Sequence, residues 1–143
     1  MNEKVHRVLS TEEFQAVVTA VRRLLKAHAG ISFAYLHGSF SSGRGFRDID
    51  VAAYLDHFPA SPLELELQLE AEFMQAAVGY PVDVRILNCA PLSFRYNVIK
   101  EGLLLFARDD DKRADFVECT LSSYFDFAPY RMLYLKETLG LGV

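Results

Sequence analysis

This 143-residue sequence has only two cysteines, no excess of positive charge and no apolar run of membrane-spanning length. Cys89 and Cys119 lie far apart, without a Cys-x-x-Cys pair or zinc-ligand spacing, which argues against a zinc site and a dithiol redox motif. Both are read as buried free thiols. The formal net charge of −4 provides no global positive field to hold a nucleic-acid backbone, so a templated polymerase is disfavoured and no direct nucleic-acid partner is expected. Met1 to Ser10 carries charges where a signal peptide would need an apolar core, and no segment is suited to a membrane, so the expected location is cytoplasmic. Internal repeats, low-complexity runs and linkers are also missing. One domain over residues 1–143, with a single core, is expected.

What the sequence does contain is strong local patterning. Ser10-Thr11-Glu12-Glu13 matches a capping box, and Phe14, Val17, Val18, Val21, Leu24 and Leu25 recur at helical spacing up to a stop at Gly30. Ile31 to His37 reads as a strand, and Ile49 to Leu55 as the next. Leu63 to Glu70 alternates with period two, as a half-buried strand would. Ser61-Pro62-Leu63-Glu64 nevertheless offers a cap and a proline at the first helical position, and the segment is rich in helix formers up to Gly79, so a helix is expected. Val82 to Leu87 alternates as a strand, Pro91 opens a short helix ending at Gly102, and Leu103 to Phe106 forms a last strand. From Asp110 a helical pattern runs on, interrupted at Pro129 and resuming through Leu135. The order helix, strand, strand, helix, strand, helix, strand, helix implies an α+β (mixed α/β) domain: a small mixed sheet of about four strands flanked by helices.

Chemistry concentrates between Gly38 and Asp50. A turn of small residues rich in backbone N–H groups follows one strand, and Asp48 and Asp50 sit where the next begins. Alternate residues of a strand share a face, which places these two carboxylates about 7 Å apart at their Cα atoms. Like charges facing one way need something positive between them, so a purely structural role for the pair is disfavoured. Asp83 adds a third carboxylate in the middle of a later strand. A phosphate cradle beside a cation site accounts for all of these features together.

Gly38-Ser39, a short loop, Asp48-Ile49-Asp50 and the later Asp83 resemble the signature of the DNA polymerase beta nucleotidyltransferase superfamily. The likeness is greatest to its minimal single-domain members, the MNT or MntA antitoxin type, which are often encoded beside a HEPN-domain toxin. Val82-Asp83-Val84 after Gly79-Tyr80-Pro81, Glu101-Gly102-Leu103-Leu104 and Tyr124-Phe125-Asp126 extend the likeness from about Ile31 to Leu135. The resemblance implies a polymerase beta palm-like fold and transfer of AMP from ATP to a tyrosine hydroxyl of a HEPN-family toxin, with release of pyrophosphate. It also implies Mg²⁺ held by Asp48, Asp50 and Asp83, with Asp83 accepting or orienting the hydroxyl proton, and triphosphate contacts at Gly38 and Ser39. Homo- or hetero-oligomers both fit this type. Only residues 40–47 separate Ser39 from Asp48, a shorter loop than the family usually has, and Arg47 stands where a serine is common. That departure motivates the alternative of a catalytically inactive module that neutralises a HEPN partner by contact. Transfer to a small hydroxylated molecule ranks third, because so short a chain leaves little room for an acceptor-binding domain.

Other residues carry plainer readings. His6, His28, His37 and His57 are taken as packed or hydrogen-bonded, and Glu64, Glu66 and Glu70 as a solvated helix face. Asp109-Asp110-Asp111 suits the positive end of a helix. Arg44, Arg47 and Arg85 are all open as partners of the leaving pyrophosphate. Most aromatics of the terminal segment are assigned to core packing, with Tyr130 and Tyr134 beyond Pro129 as a candidate surface for a partner.

Overall fold

The computed structural model describes residues 9–38, 48–76 and 78–139, with the backbone alone described over 127–139. Helix α1 (Thr11–Lys26) starts on the expected capping box: Ser10 accepts the Glu13 N–H through its side chain, and the Glu13 carboxylate accepts the Ser10 N–H in return. Strand β1 (Ile31–His37) is buried along almost its whole length, because it lies inside the sheet with helices over both faces. It pairs antiparallel with β2 (Ile49–Leu55) on one side and with β4 (Leu103–Ala107) on the other, while β2 pairs parallel with β3 (Val82–Ile86). The sheet is mixed, in the order β3-β2-β1-β4.

The ambiguous leucine-glutamate run is helix α2 (Pro62–Gln75), whose N-cap Ser61 accepts the Glu64 N–H through its side chain. Capping and helix propensity therefore prevail over the period-two pattern, and only Leu69 and Phe73 of α2 are buried. Helix α3 (Leu92–Glu101) follows a single 3₁₀ turn at Leu87–Cys89, and α4 (Asp110–Leu139) is the last described element. Asp109 caps α4 by accepting the N–H groups of Asp111 and Lys112, so the triple aspartate serves the helix end as expected. The expected interruption at Pro129 does not occur: α4 stays helical across it. An interior proline removes one backbone bond and favours a kink, but it does not end this helix of 30 residues.

Two apolar layers clamp the sheet. Val17, Val18, Val21 and Leu25 of α1, with Leu69 and Phe73 of α2, pack on the face that carries Leu36, Val51, Ala53, Val84 and Ile86. Phe33, Tyr35, Ala52 and Leu87 look the other way, toward Val98 of α3 and Phe116 of α4. There the Phe33 ring stacks on Tyr54 at 4.7 Å between centroids and leans on Phe116 at 5.4 Å. Two expectations need correction. Both cysteines are exposed rather than buried, since Cys89 ends a surface turn and Cys119 lies off the packed stripe of α4.

The second correction concerns the glutamates. Only Glu64 is solvated; Glu66 accepts the Ile86 N–H at 2.9 Å and Glu70 accepts the Val84 N–H. β3 is an edge strand, and two carboxylates one helical turn apart satisfy the N–H groups it turns outward, where a further strand could otherwise pair. Glu66→Ala is expected to leave the Ile86 N–H without its partner and to cost about 1–2 kcal/mol. Urea unfolding checks this: a midpoint equal to wild type would show that the contact contributes nothing.

Candidate active site

The sheet brings the distant acidic residues together by register. Asp50, the second residue of β2, pairs with Asp83, the second residue of β3, and on its other side with His37, the last residue of β1. Register partners point to the same face, so His37, Asp50 and Asp83 form a row across three strands. By alternation this is the face that carries Ala52 and Phe33, under α3 and α4. The row lies at the end of that face where β1 leaves and β2 and β3 enter the sheet.

The consequence of the row is electrostatic. Asp50 is half-buried, and its pKa is raised from 3.8 to about 6, first by loss of solvent and then by the charges of Asp83 and Asp48. Such a carboxylate is held at a cost that a bound cation would remove. Glu70 feels the same field from the α2 side: burial, then Asp83, then Glu66 push its pKa up, against the lowering effect of the Val84 N–H.

Gly38 is the bend that follows β1. Its φ is +76°, a left-handed conformation that suits glycine. A Cβ built there would lie 2.4 Å from Oδ2 of Asp50. The backbone therefore passes directly against the carboxylate, and a side chain at this position would displace it. Ser39 and residues 40–47, including Arg44 and Arg47, lie outside the described residues, so the Ser39 reading has no structural counterpart here. Asp48 sits in the bend immediately before β2, half-exposed.

Two residues that the sequence reading had set aside or left open, His37 and Arg85, join the site, with Phe94 between them. His37 meets the Phe94 ring edge-on at 5.1 Å, and its Nε2 is buried without a hydrogen-bond partner among the described residues. Burial lowers its pKa, opposed by Asp83 and reinforced by Arg85. The Arg85 guanidinium lies over the same Phe94 ring at 5.1 Å, on the strand face that Asp83 shares. Of the three candidate arginines it is the one described, and it stands beside the acidic row rather than across it.

Among the described residues no three His, Cys, Asp or Glu side chains are drawn close enough to hold a metal ion alone. The described acids offer an adjacent pair, Asp50 and Asp83, with Asp48 near enough to be felt. Hard oxygen donors in that number suit Mg²⁺, which takes one or two carboxylates and completes its shell with substrate phosphates and water. The donor set, the penalty on Asp50 and the open backbone at Gly38 are all compatible with a cation and a triphosphate meeting here.

Known proteins share this arrangement of elements. A chain of a toxin-antitoxin crystal structure with AMP-PNP superposes with a TM-score of 0.71 at 22% identity, over 85% of this chain and 98% of its own. A MntA-HepT toxin-antitoxin structure aligns at a TM-score of 0.68 and 21% identity, covering 87% and 98%. A complex of a tri-AMPylated Shewanella oneidensis HEPN toxin with its MNT antitoxin aligns at 0.67 and 22%, covering 88% and 98%. No curated protein matches the chain by sequence. The family model described as "Polymerase beta, Nucleotidyltransferase" matches residues 20–111, more than half the chain and the whole of the acidic row. With sheet, turn and sequence model in agreement, this chain belongs to the polymerase beta nucleotidyltransferase family.

Proposed function

We propose that this protein is a Mg²⁺-dependent protein adenylyltransferase that moves AMP from ATP to a tyrosine hydroxyl of a HEPN-family partner, and so acts as its antitoxin. The observation that carries the reading is the in-register pairing of Asp50 with Asp83 against the left-handed Gly38. Support for the nucleotide and the partner comes from structural neighbours, one described with AMP-PNP and one with an AMPylated HEPN toxin.

In this reaction the acceptor oxygen forms a bond to the α-phosphorus as the bond from that phosphorus to the bridging oxygen breaks, and pyrophosphate leaves. Asp83 takes or orients the hydroxyl proton, since it lies at the exposed edge of the row where an acceptor can approach. Asp48, Asp50 and Asp83 are the residues to hold Mg²⁺, which when bound neutralises charge on the attacking and leaving oxygens. Gly38 lets the main chain approach the phosphates without a Cβ, and Ser39 follows as a hydroxyl donor. Arg85 is the described cation best placed to face pyrophosphate.

Incubation with labelled ATP, Mg²⁺ and a cognate HEPN-family protein is expected to label that protein on tyrosine. Asp83→Asn should reduce the labelling rate at least about 100-fold. The contact-only alternative predicts instead that no label moves and that the partner is inhibited equally well by Asp83→Asn. Pyrophosphate release with small hydroxylated acceptors, and none with the protein, would favour the third reading.

A further inference from the structure

Helix α2 carries an apolar ridge that none of the described residues covers. Leu63 is 64% exposed, Leu67 57% and Met74 82%. Their spacing puts them on one stripe, since positions 63, 67 and 74 fall within about 40° of one another at 3.6 residues per turn. Large apolar side chains exposed singly are ordinary on a protein surface; three in line on one helix are a feature of interaction sites.

The ridge continues into a groove. Phe73, Met74, Val78, Tyr80, Pro81 and Val82 line an open cavity of about 550 Å³ between the end of α2 and the start of β3. Met74 belongs to both. Val82 and Asp83 point to opposite faces of β3, but β3 is the edge strand and Glu70, which also lines the groove, feels the charge of Asp83, so the groove lies around that edge from the outer member of the acidic row. A chain lying along the ridge reaches the site by passing around the edge of β3, where Asp83 is exposed.

Charge selects the occupant. Helix α2 contains Glu64, Glu66 and Glu70 near the ridge and no basic residue, Glu72 being turned away to pair with His28, and β3 adds Asp83 against Arg85 alone. Glu66 and Glu70 lie on the β3 side of the ridge, as their bonds to the Ile86 and Val84 N–H groups require, and Glu64 is exposed on the opposite side. Two copies of this chain meeting ridge to ridge would bring acidic flanks together. A partner segment with apolar anchors and basic flanks meets both requirements, and an amphipathic helix laid lengthwise presents anchors at the matching spacing.

We infer that the α2 ridge and the groove beyond it dock a basic-flanked amphipathic helix of the acceptor protein and bring its hydroxyl-bearing segment to Asp83. This rests on the protein adenylyltransferase reading for the identity of the acceptor, while the surface itself is argued from exposure and charge. Only the row of acids is needed for transfer; the ridge supplies affinity.

The experiment measures binding and transfer separately. Full-length protein, the triple variant Leu63→Ser/Leu67→Ser/Met74→Ser, Glu64→Lys and Asp50→Asn are each titrated against the HEPN-family protein at low and high salt, and each is assayed for labelling. All three ridge side chains are more than half exposed, so the variant should keep its fold, which thermal melting verifies. The triple variant is expected to bind at least about tenfold more weakly. Glu64→Lys should also weaken binding and flatten its salt dependence. Asp50→Asn should bind as wild type while losing transfer. If wild type binds through the ridge but moves no label, the docking inference stands and the enzymatic reading fails. Unchanged affinity in the triple variant overturns the docking inference, and so does failure of wild type to bind at all. Loss of self-association with partner affinity intact would assign the ridge to a second copy and overturn it as well.

Discussion

Asp50→Asn is expected to lower AMP transfer by about a thousandfold or more and, at the same time, to make the metal-free protein more stable at neutral pH. The first effect follows, on the proposed adenylyltransferase reading, from losing the central acid of the row, since charge compensation on the phosphoryl oxygens supplies much of the rate enhancement in such transfers. The second follows from the environment that makes the residue useful. Burial, Asp83 and Asp48 raise the Asp50 pKa from 3.8 to about 6, so the ionised carboxylate is held at a cost. A shift of this size corresponds to about 3 kcal/mol when unscreened, and solvent around a half-exposed side chain reduces it to about 1–2 kcal/mol. The folded protein binds the Asp50 proton more tightly than the unfolded chain does. Its stabilising contribution is therefore complete below pH 3.8, fades as the pH rises, and is lost above about 6. The variant should match wild type in acid and pull ahead between pH 4 and 6. His37, whose pKa burial lowers, loses stability on acidification in both proteins and largely cancels in the difference. Adding Mg²⁺ should raise the melting temperature of wild type but not of the variant. A variant less stable than wild type at neutral pH, or one that still transfers AMP, would contradict the role given to this carboxylate.

Much of this fold can be read directly from local pattern. The capping box at Ser10 and the cap and proline at Ser61-Pro62 mark helix starts that the coordinates reproduce, and the order of all eight elements follows from periodicity and breakers. Where local signals compete, as in Leu63 to Glu70, capping and propensity decide correctly because only Leu69 and Phe73 of α2 end up buried. Less legible was anything set by tertiary neighbours. Glu66 and Glu70 look like a solvated face until β3 is known to be an edge strand running beside α2. Cys89 and Cys119 take their exposure from the positions of a turn and a helix face, which apolar character alone does not reveal.

The site divides in the same way. Asp48 and Asp50 are legible from the two-residue spacing, and the turn from Gly38. That Asp83 lies directly across from Asp50 depends on a parallel register between segments more than 30 residues apart, which resemblance suggested and pairing established. His37 was passed over because a lone histidine at a strand end is ordinarily packed. Its one available signal was position: the residue before the left-handed glycine sits opposite the first residues of β2, and so beside whatever acid begins that strand.

Gly38→Ala tests whether the turn and the acid act as one unit. Alanine at a φ of +76° is strained by about 1 kcal/mol. The new methyl would also lie 2.4 Å from Oδ2 of Asp50, too close for any real contact. Either the backbone moves or the carboxylate swings away from its place beside Asp83, and both outcomes damage the site. The expected result is a loss of about 2–3 kcal/mol in stability and at least about 100-fold in transfer. Strain and collision can be separated by a double-mutant cycle, since removing the carboxylate relieves one and leaves the other. In an Asp50→Ala background, Gly38→Ala should cost only the strain, about 1 kcal/mol, which leaves a coupling of about 1–2 kcal/mol between the two positions. Denaturant unfolding of the four proteins measures that coupling directly. Additive effects would mean that the glycine serves only its own turn, and the close approach of main chain to carboxylate would then have no part in shaping the site.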